Sequence, residues 1–450
     1  MADDNENPFK GTPFEQLFNQ LGGAFGAAPG GLPGGAPEAG GAMDLGAMFE
    51  QIQNMFAAPG DGPVNFTLAK DTARKALAAG GEDPTPHAGQ VGAVRDALAL
   101  ADQWLDRATA LPSGARSSAA WSRAEWIKQS FPTWEVLITP IAAHVVSSMS
   151  DALPPEVAQM AGPLMGMLNQ AGGAMFGQQV GQAVAGLAAE VLDSTDVGLP
   201  FGPEGVAAVL PANIKAFSEG LAESEADVLI YTMLREAAHL RLYAHATWLR
   251  PAIVGAIEEY GRGTRIDVSG IEETMRGIDP SDPAAIQNAM SEGMFDPQPT
   301  PEQQRAKSRL ELLLALVEGW VDHVVARATT DTMPSAPALA ETMRRRRAGG
   351  GPAEDTFATL VGLELRPRRL RDAANLWAAL LDQCGAEERD AVWSHPDLLP
   401  TEADLDDPLG FVERRSGAVD FDAELRQFLD GQTGDGADDG DAGGAGDDQH

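Results

Sequence analysis

Apolar positions recur at helical spacing along much of the chain. This spacing predicts helices over residues 91–105, 119–129, 225–260, 301–330 and 370–381, and over 134–152 with an interruption at Pro140. One short run, residues 206–210, has the character of a strand, and no strands alternate regularly with helices. The pattern therefore predicts a mainly α fold with at most a small sheet.

Residues 157–189 carry no charged side chain, which raises the question of a transmembrane helix. Pro163 and several side-chain amides interrupt this run, however. Four glycines also recur along it at spacings that suit close helix packing: Gly173, Gly177, Gly181 and Gly186. We expect a buried hairpin with a glycine face here and no membrane span.

Both ends of the chain have a biased composition. Residues 1–62 are rich in Gly, Ala and Pro, which bury too little apolar surface to offset chain entropy. Two apolar islands in this region, residues 13–21 and 43–55, could form helices that dock on the body of the protein or on a partner. Residues 431–450 are an acidic tail of mainly Gly, Ala and Asp. We expect disordered termini around one domain, residues 63–430.

The charge balance restricts the partners. The chain has 32 basic and 66 acidic residues and a formal net charge of −34, which repels phosphate backbones and argues against a nucleic-acid partner. A lone cysteine, Cys384, permits neither an intrachain disulfide nor a cysteine-based metal cage. The first residues lack the pattern of a signal peptide, so that we expect a cytoplasmic location.

One basic cluster, residues 344–347, stands out in this acidic chain. Glycines at residues 349–351 follow it directly, which indicates a loop. The cluster could clamp an anionic peptide or bind the acidic tail of the same chain.

A candidate site lies in the predicted helix over residues 225–260, where Arg235, Glu236 and His239 form the pattern R-E-x-x-H. In the metal-binding pattern H-E-x-x-H, positions i and i+4 place two imidazoles on one helix face, and the intervening Glu acts as general base. Glu236 and His239 occupy the expected positions. Arg235 stands in place of the first ligand, and a guanidinium stays protonated and binds no metal.

The predicted helix over residues 301–330 carries Glu318 and Asp322 at i and i+4, so that both carboxylates emerge on one face. Such a Glu can serve as a third metal ligand, and such an Asp can hold a ligand histidine through its other ring nitrogen. His323 could join this site only if the two helices cross at an unusual angle. His245 points to another face of its helix than His239.

These segments resemble the actinobacterial zincin-like metallopeptidase family, whose members are called hydrolases or zinc-dependent metalloproteases. The resemblance rests on LREAAHLRLYAHATWLR (residues 234–250), LLLALVEGWVDHVV (312–325), residues 358–377 and the glycine pattern of 173–192. It implies a helical, gluzincin-type domain and a zinc-dependent hydrolase of peptide bonds. Glu236 would be the general base, His239 and Glu318 metal ligands, and Asp322 the residue that holds a ligand in place.

Arg235 leaves two functions open. The carboxylates of Glu236, Glu318 and Asp322 need a cation nearby. Zinc could be this cation, or the guanidinium of Arg235 could take its place by pairing bidentately with Glu318. In the first case the protein is a zinc hydrolase with a peptide substrate. In the second it is a pseudoenzyme, an intracellular binding or scaffold protein for a peptide or protein partner.

Overall fold

The computed structural model describes residues 62–151, 162–262, 300–348, 352–361 and 369–415. This part of the chain is mainly helical with one small sheet, as the hydrophobic pattern predicts. In chain order its elements are α1 (Phe66–Ala79), α2 (Ala88–Leu105), β1 (Ser117–Ala120), α3 (Arg123–Asp151), α4 (Gly162–Ala188), β2 (Val206–Val209), α5 (Pro211–Ser218), α6 (Glu225–His245), α7 (Leu249–Arg262), α8 (Pro301–Thr329), α9 (Ala336–Ala348), α10 (Pro352–Val361), α11 (Leu370–Ala391) and α12 (Glu402–Asp406), with 3-10 turns at Val392–Ser394 and Pro396–Leu398. The regions predicted to be disordered, apart from Gly62, lie outside the described residues.

The sheet consists of β1 and β2, which pair in parallel with Ser117 opposite Val206. The strand predicted over residues 206–210 is thus confirmed, whereas β1 includes the start of a predicted helix. That helix begins later because Ser122 and Glu125 form a reciprocal cap: the Glu125 carboxylate accepts the Ser122 N–H at 2.8 Å, and the Ser122 hydroxyl accepts the Glu125 N–H at 3.2 Å.

The single helix predicted over residues 225–260 is wrong, because the chain forms two helices, α6 and α7, with a break at Ala246. Pro251 explains the break, since its ring would collide with the carbonyl one turn earlier in a continuous helix. Within α3, by contrast, the helix continues through Pro132 and Pro140, so that the predicted interruption at Pro140 is not observed.

The glycine face of α4 packs closely on α1. A Cβ at Gly177 would collide with the backbone carbonyl of Asn65, a Cβ at Gly181 would collide with that of Ala69, and the Gly173 carbonyl accepts the Asn65 N–H at 2.9 Å. The close packing predicted at these glycines is confirmed, although Gly186 faces open space. The predicted hairpin is wrong within the described residues, since residues 162–188 form one helix.

No helix among the described residues is long and apolar enough to cross a membrane. The core runs as one hydrophobic cluster from Val64 to Val412. At its centre α6 is buried on every face from Tyr231 to Leu242, polar side chains included. The polar residues of this stretch therefore need partners inside the protein, and those partners form the site described below.

Candidate functional site

Four segments meet around the buried middle of α6: helix α6 itself, helix α8, the last turn of α9, and the loop of residues 192–201 that precedes β2. Helix α8 starts at a capping box between Thr300 and Gln303 and is buried from Leu313 to Val321. Gly319 lets it approach α11 closely, because a Cβ there would lie 2.6 Å from the Cβ of Ala373.

Arg235 joins α6 to α8 through both carboxylates of the E-x-x-x-D pattern. One guanidinium nitrogen donates to Glu318 at 2.5 Å, and the other donates to Asp322. The arginine is 3% exposed. The structure therefore brings together three of the residues singled out in the sequence, although the guanidinium bridges two carboxylates and does not pair bidentately with Glu318.

His239 lies on the same face of α6, one turn after Arg235. Its Nδ1 is 2.9 Å from the backbone carbonyl of Arg235, and its Nε2 is 3.0 Å from Oε1 of Glu318. A carbonyl oxygen only accepts hydrogen bonds, and so does an ionised carboxylate. Both ring nitrogens of His239 are thus already within hydrogen-bond distance of a protein oxygen.

Arg347, in the last turn of α9, is a second guanidinium on Glu318. Burial alone would raise the pKa of Glu318, but the positive charges of Arg347, His239 and Arg235 outweigh it and hold that pKa well below its ordinary value. Glu318 is therefore ionised, with two arginines and a histidine as its partners. The run of residues 344–347 is helical, so its interpretation as a loop is wrong.

Glu236 points to a separate polar cluster. Its carboxylate accepts hydrogen bonds from the Ser194 hydroxyl at 2.5 Å, the Thr195 hydroxyl at 2.6 Å and the Ala208 N–H at 3.0 Å. It is fully buried, and none of these partners belongs to α8. The hydrogen bonds of Glu236 thus go to the 192–201 loop and to β2, and not to Glu318, Asp322 or Arg235.

A second acid, Asp193, shares this cluster. Its carboxyl is hydrogen-bonded to Glu236 and accepts the Thr195 N–H at 2.9 Å. Burial raises the pKa of Asp193 well above its ordinary value, and the negative charges of Glu236 and Asp196 add to this effect. Burial also raises the pKa of Glu236, although the hydrogen bonds that its carboxylate accepts act to lower it. The two acids thus favour a state in which they share a proton.

The 192–201 loop supplies contacts that the sequence interpretation missed. Asp196 accepts two hydrogen bonds from Arg346, at 2.8 and 3.0 Å, and the Gly198 carbonyl accepts the hydroxyl of Tyr243 at 2.5 Å. Gly198 has φ +78°, and a Cβ there would lie 3.2 Å from Oε1 of Glu318. The signal in the sequence was Asp193-Ser-Thr-Asp196, four polar residues directly after a long stretch almost free of charge.

The two other histidines weighed in the sequence, His245 and His323, lie elsewhere. His245 Nε2 is 3.2 Å from the carbonyl of Pro112, which agrees with its predicted orientation away from the site. His323 is partly buried near Arg389 and Arg327; burial lowers its pKa to about 4, with a smaller effect from these two arginines. Neither histidine adds a ligand to His239 and Glu318.

The residues present fit a zinc ion poorly. Zinc in proteins takes three or four ligands from Cys, His, Asp and Glu. Over the described residues no group of three or more such side chains is arranged to hold a metal. Of the two expected ligands, Glu318 is paired with Arg235 and Arg347, and His239 faces acceptors at both nitrogens.

The fold is thus mainly helical, and the site consists of ion-paired side chains between the core helices α6 and α8. Residues 64–412 match the family model of the zincin-like metallopeptidases. The match spans well over half of the chain, and the protein belongs to that family. The sequence matches no curated protein.

One solved structure has the same fold. It comes from Chloroflexus aurantiacus and is described as "a putative hydrolase with a novel fold". The alignment covers 78% of this chain and 99% of the other, with a TM-score of 0.54 and 18% sequence identity. At that identity the likeness concerns the fold alone.

Proposed function

We propose that this protein is a metal-independent member of the zincin-like metallopeptidase family, which binds a peptide or protein partner without hydrolysing it. The observation that carries the proposal is the bridge from Arg235 to Glu318 and Asp322. The bridge puts a permanent positive charge where the family pattern has a metal ligand. The protein therefore needs no metal to compensate these two acids, of which Glu318 is buried and Asp322 partly buried.

The environment of Glu236 supports the same proposal. A general base must be able to reach a water molecule and the substrate. Glu236 is fully buried and accepts three hydrogen bonds from Ser194, Thr195 and Ala208. These hydrogen bonds tie the 192–201 loop and β2 to α6, so Glu236 has a structural role in this proposal.

Zinc-dependent hydrolysis of peptide bonds is the second candidate. Family membership favours it, together with the 3.0 Å contact between His239 and Glu318, which keeps the two expected metal ligands side by side. In that candidate Glu236 is the general base and Asp322 holds a ligand in place. The two candidates differ in metal content and in their dependence on Glu236.

Elemental analysis of the untagged protein, purified with and without added zinc, tests the proposal. We expect no stoichiometric zinc in the wild-type protein or in Glu318→Ala. About one zinc per chain, lost in Glu318→Ala, together with peptidase activity that Glu236→Gln abolishes, would establish the second candidate instead.

Arg235→His provides a matched variant, because it restores the complete H-E-x-x-H pattern at the same position. We expect it to gain zinc affinity only weakly, since Arg347 still neutralises Glu318. Combining Arg235→His with Arg347→Gln should therefore bind zinc more tightly than either single variant. Equal zinc binding by the wild type and the double variant would contradict the proposed role of the arginines.

A further inference from the structure

Helix α9 closes the site from outside through its arginines. Arg346 pairs with Asp196 of the 192–201 loop at 2.8 Å, and Arg347 pairs with Glu318 of α8. Arg344 lies 3.7 Å from Asp322. One turn of one helix thus reaches three carboxylates on two other segments.

The exposures place these arginines at the rim of the site. The side chains of Arg346 and Arg347 are 17% and 16% exposed, whereas those of Asp196 and Glu318 beneath them are 6% and 4% exposed. The guanidinium groups therefore lie between these carboxylates and the solvent. Moving the last turn of α9 away would expose the carboxylates without disturbing Arg235, which belongs to α6.

The two halves of α9 are held differently. Its earlier turns pack apolar side chains into the core, with Leu339 fully buried and Met343 4% exposed. Its last turn is held by charged contacts, by a hydrogen bond from Arg346 to the Glu190 carbonyl at 2.7 Å and by the Phe217 ring under Arg346. Charged contacts at this partly exposed rim can exchange for equivalent contacts with a ligand, whereas buried apolar packing cannot.

We propose that the last turn of α9 is an autoinhibitory latch, which occludes Asp196 and Glu318 and is displaced by a basic peptide. The proposal rests on the binding function proposed above and names the chemistry of the ligand. Without the latch, the three carboxylates of Asp196, Glu318 and Asp322 outnumber the two basic side chains that remain, Arg235 and His239, so the site takes cationic groups. Guanidinium groups fit best, because they pair with carboxylates in a planar, two-pronged geometry.

The charge of the whole chain agrees with this ligand. A net charge of −34 attracts basic peptides and repels acidic ones. The acidic-peptide and acidic-tail partners considered for residues 344–347 are less suitable, since Arg346 and Arg347 already pair with carboxylates of the site. In the closed state the last turn of α9 occupies the site as an intramolecular ligand. A free peptide must compete with the high effective concentration of this ligand.

Hydrogen exchange and peptide binding test the latch on the full chain in the presence of a chelator. The variant is Arg346→Gln with Arg347→Gln, and the matched control is Arg345→Gln, whose arginine is exposed and pairs with Glu341 of the same helix. The probe is a labelled peptide with the sequence of α9, Ala336–Ala348. A second peptide with Gln at the positions of Arg346 and Arg347 controls for nonspecific attraction.

We expect amide exchange in the last turn of α9 to rise about tenfold or more in the double variant, with α6 and α8 unchanged. The α9 peptide should bind the double variant about tenfold more tightly than it binds the wild type or the control. Unchanged exchange in α9 would overturn the latch, and faster exchange without peptide binding would overturn the basic ligand. Metal uptake, which decides the proposed function, is not read in this experiment, so the two can fail separately.

Discussion

At the scale of single residues, the site separates two kinds of buried acid. Glu318 has a lowered pKa beside Arg347, His239 and Arg235, whereas Asp193 and Glu236 have raised pKa values and are hydrogen-bonded to each other. The two groups therefore contribute to stability with opposite dependence on pH. An acid whose pKa is lowered by folding stabilises the protein above its unfolded pKa. An acid whose pKa is raised stabilises it below that value and loses this contribution as pH rises.

Asp193→Asn tests the raised pKa of the acid pair. The amide keeps an oxygen to accept the Thr195 N–H and removes one negative charge next to Glu236. We expect the free energy of unfolding of the variant, relative to the wild type, to increase as pH rises from about 4 to about 8. Glu318 is the same in both proteins, so its own titration cancels from the difference. Urea unfolding of both proteins at several pH values measures this difference in unfolding free energy.

Asp331→Asn is the control for this experiment, because Asp331 is exposed. Its unfolding free energy should follow that of the wild type at every pH. A difference between Asp193→Asn and the wild type that stays constant with pH would show that Asp193 is already ionised in the folded protein.

The residue patterns in the sequence predicted some of the contacts in the site and missed others. The i, i+4 spacing correctly placed Arg235 with His239 and Glu318 with Asp322, because helical geometry fixes which side chains share a face. The same spacing said nothing of Arg347 or Asp196, which come from other segments. Their contacts depend on how those segments pack, and local periodicity does not contain that information.

At the scale of elements, glycine decides how closely helices approach. Helix α4 lies against α1 with backbone carbonyls directly over Gly177 and Gly181. The glycine spacing predicted this contact, whereas the helix boundaries at Arg123 and Ala246 were missed. Those boundaries depend on a cap at Ser122 and on Pro251, which act over one turn and interrupt an apolar periodicity that otherwise continues.

Gly177→Ala tests the contact between α1 and α4. The added Cβ collides with the carbonyl of Asn65, so we expect a loss of about 1–3 kcal/mol in the free energy of unfolding. Gly186→Ala is the matched control, since a Cβ there meets open space and alanine favours the helix by roughly 0.5–1 kcal/mol. Chemical unfolding of both variants gives the comparison. A stabilised Gly177→Ala would mean that the two helices lie further apart.

At the scale of the whole molecule, one core unites the described segments. The hydrophobic cluster runs from Val64 to Val412 and includes every element that contributes to the site. The sequence predicted one domain over residues 63–430, and this boundary stays a prediction. The hydrophobic pattern was enough to predict the mainly α class, because apolar positions at helical spacing cover most of the body.

The continuous core predicts a single cooperative unfolding transition. We expect far-ultraviolet circular dichroism, which follows the helices, and tryptophan fluorescence to give the same midpoint in urea. The fully buried tryptophans include Trp126 and Trp134, which both contact Phe201, and Trp377, which stacks on Trp393, so that fluorescence reports on more than one part of the core. Two separated transitions would instead show that the body contains units that unfold independently.

The bridge from Arg235 to Glu318 and Asp322 has a consequence for the conditions in which this protein can work. A bound ion can be stripped by a chelator, exchanged for a competing ion or lacking when the cell is starved of it. A side chain is made with the protein and can suffer none of these losses. The ion pairs that join α6 to α8 through Arg235 are thus encoded in the sequence itself and are made by side chains alone.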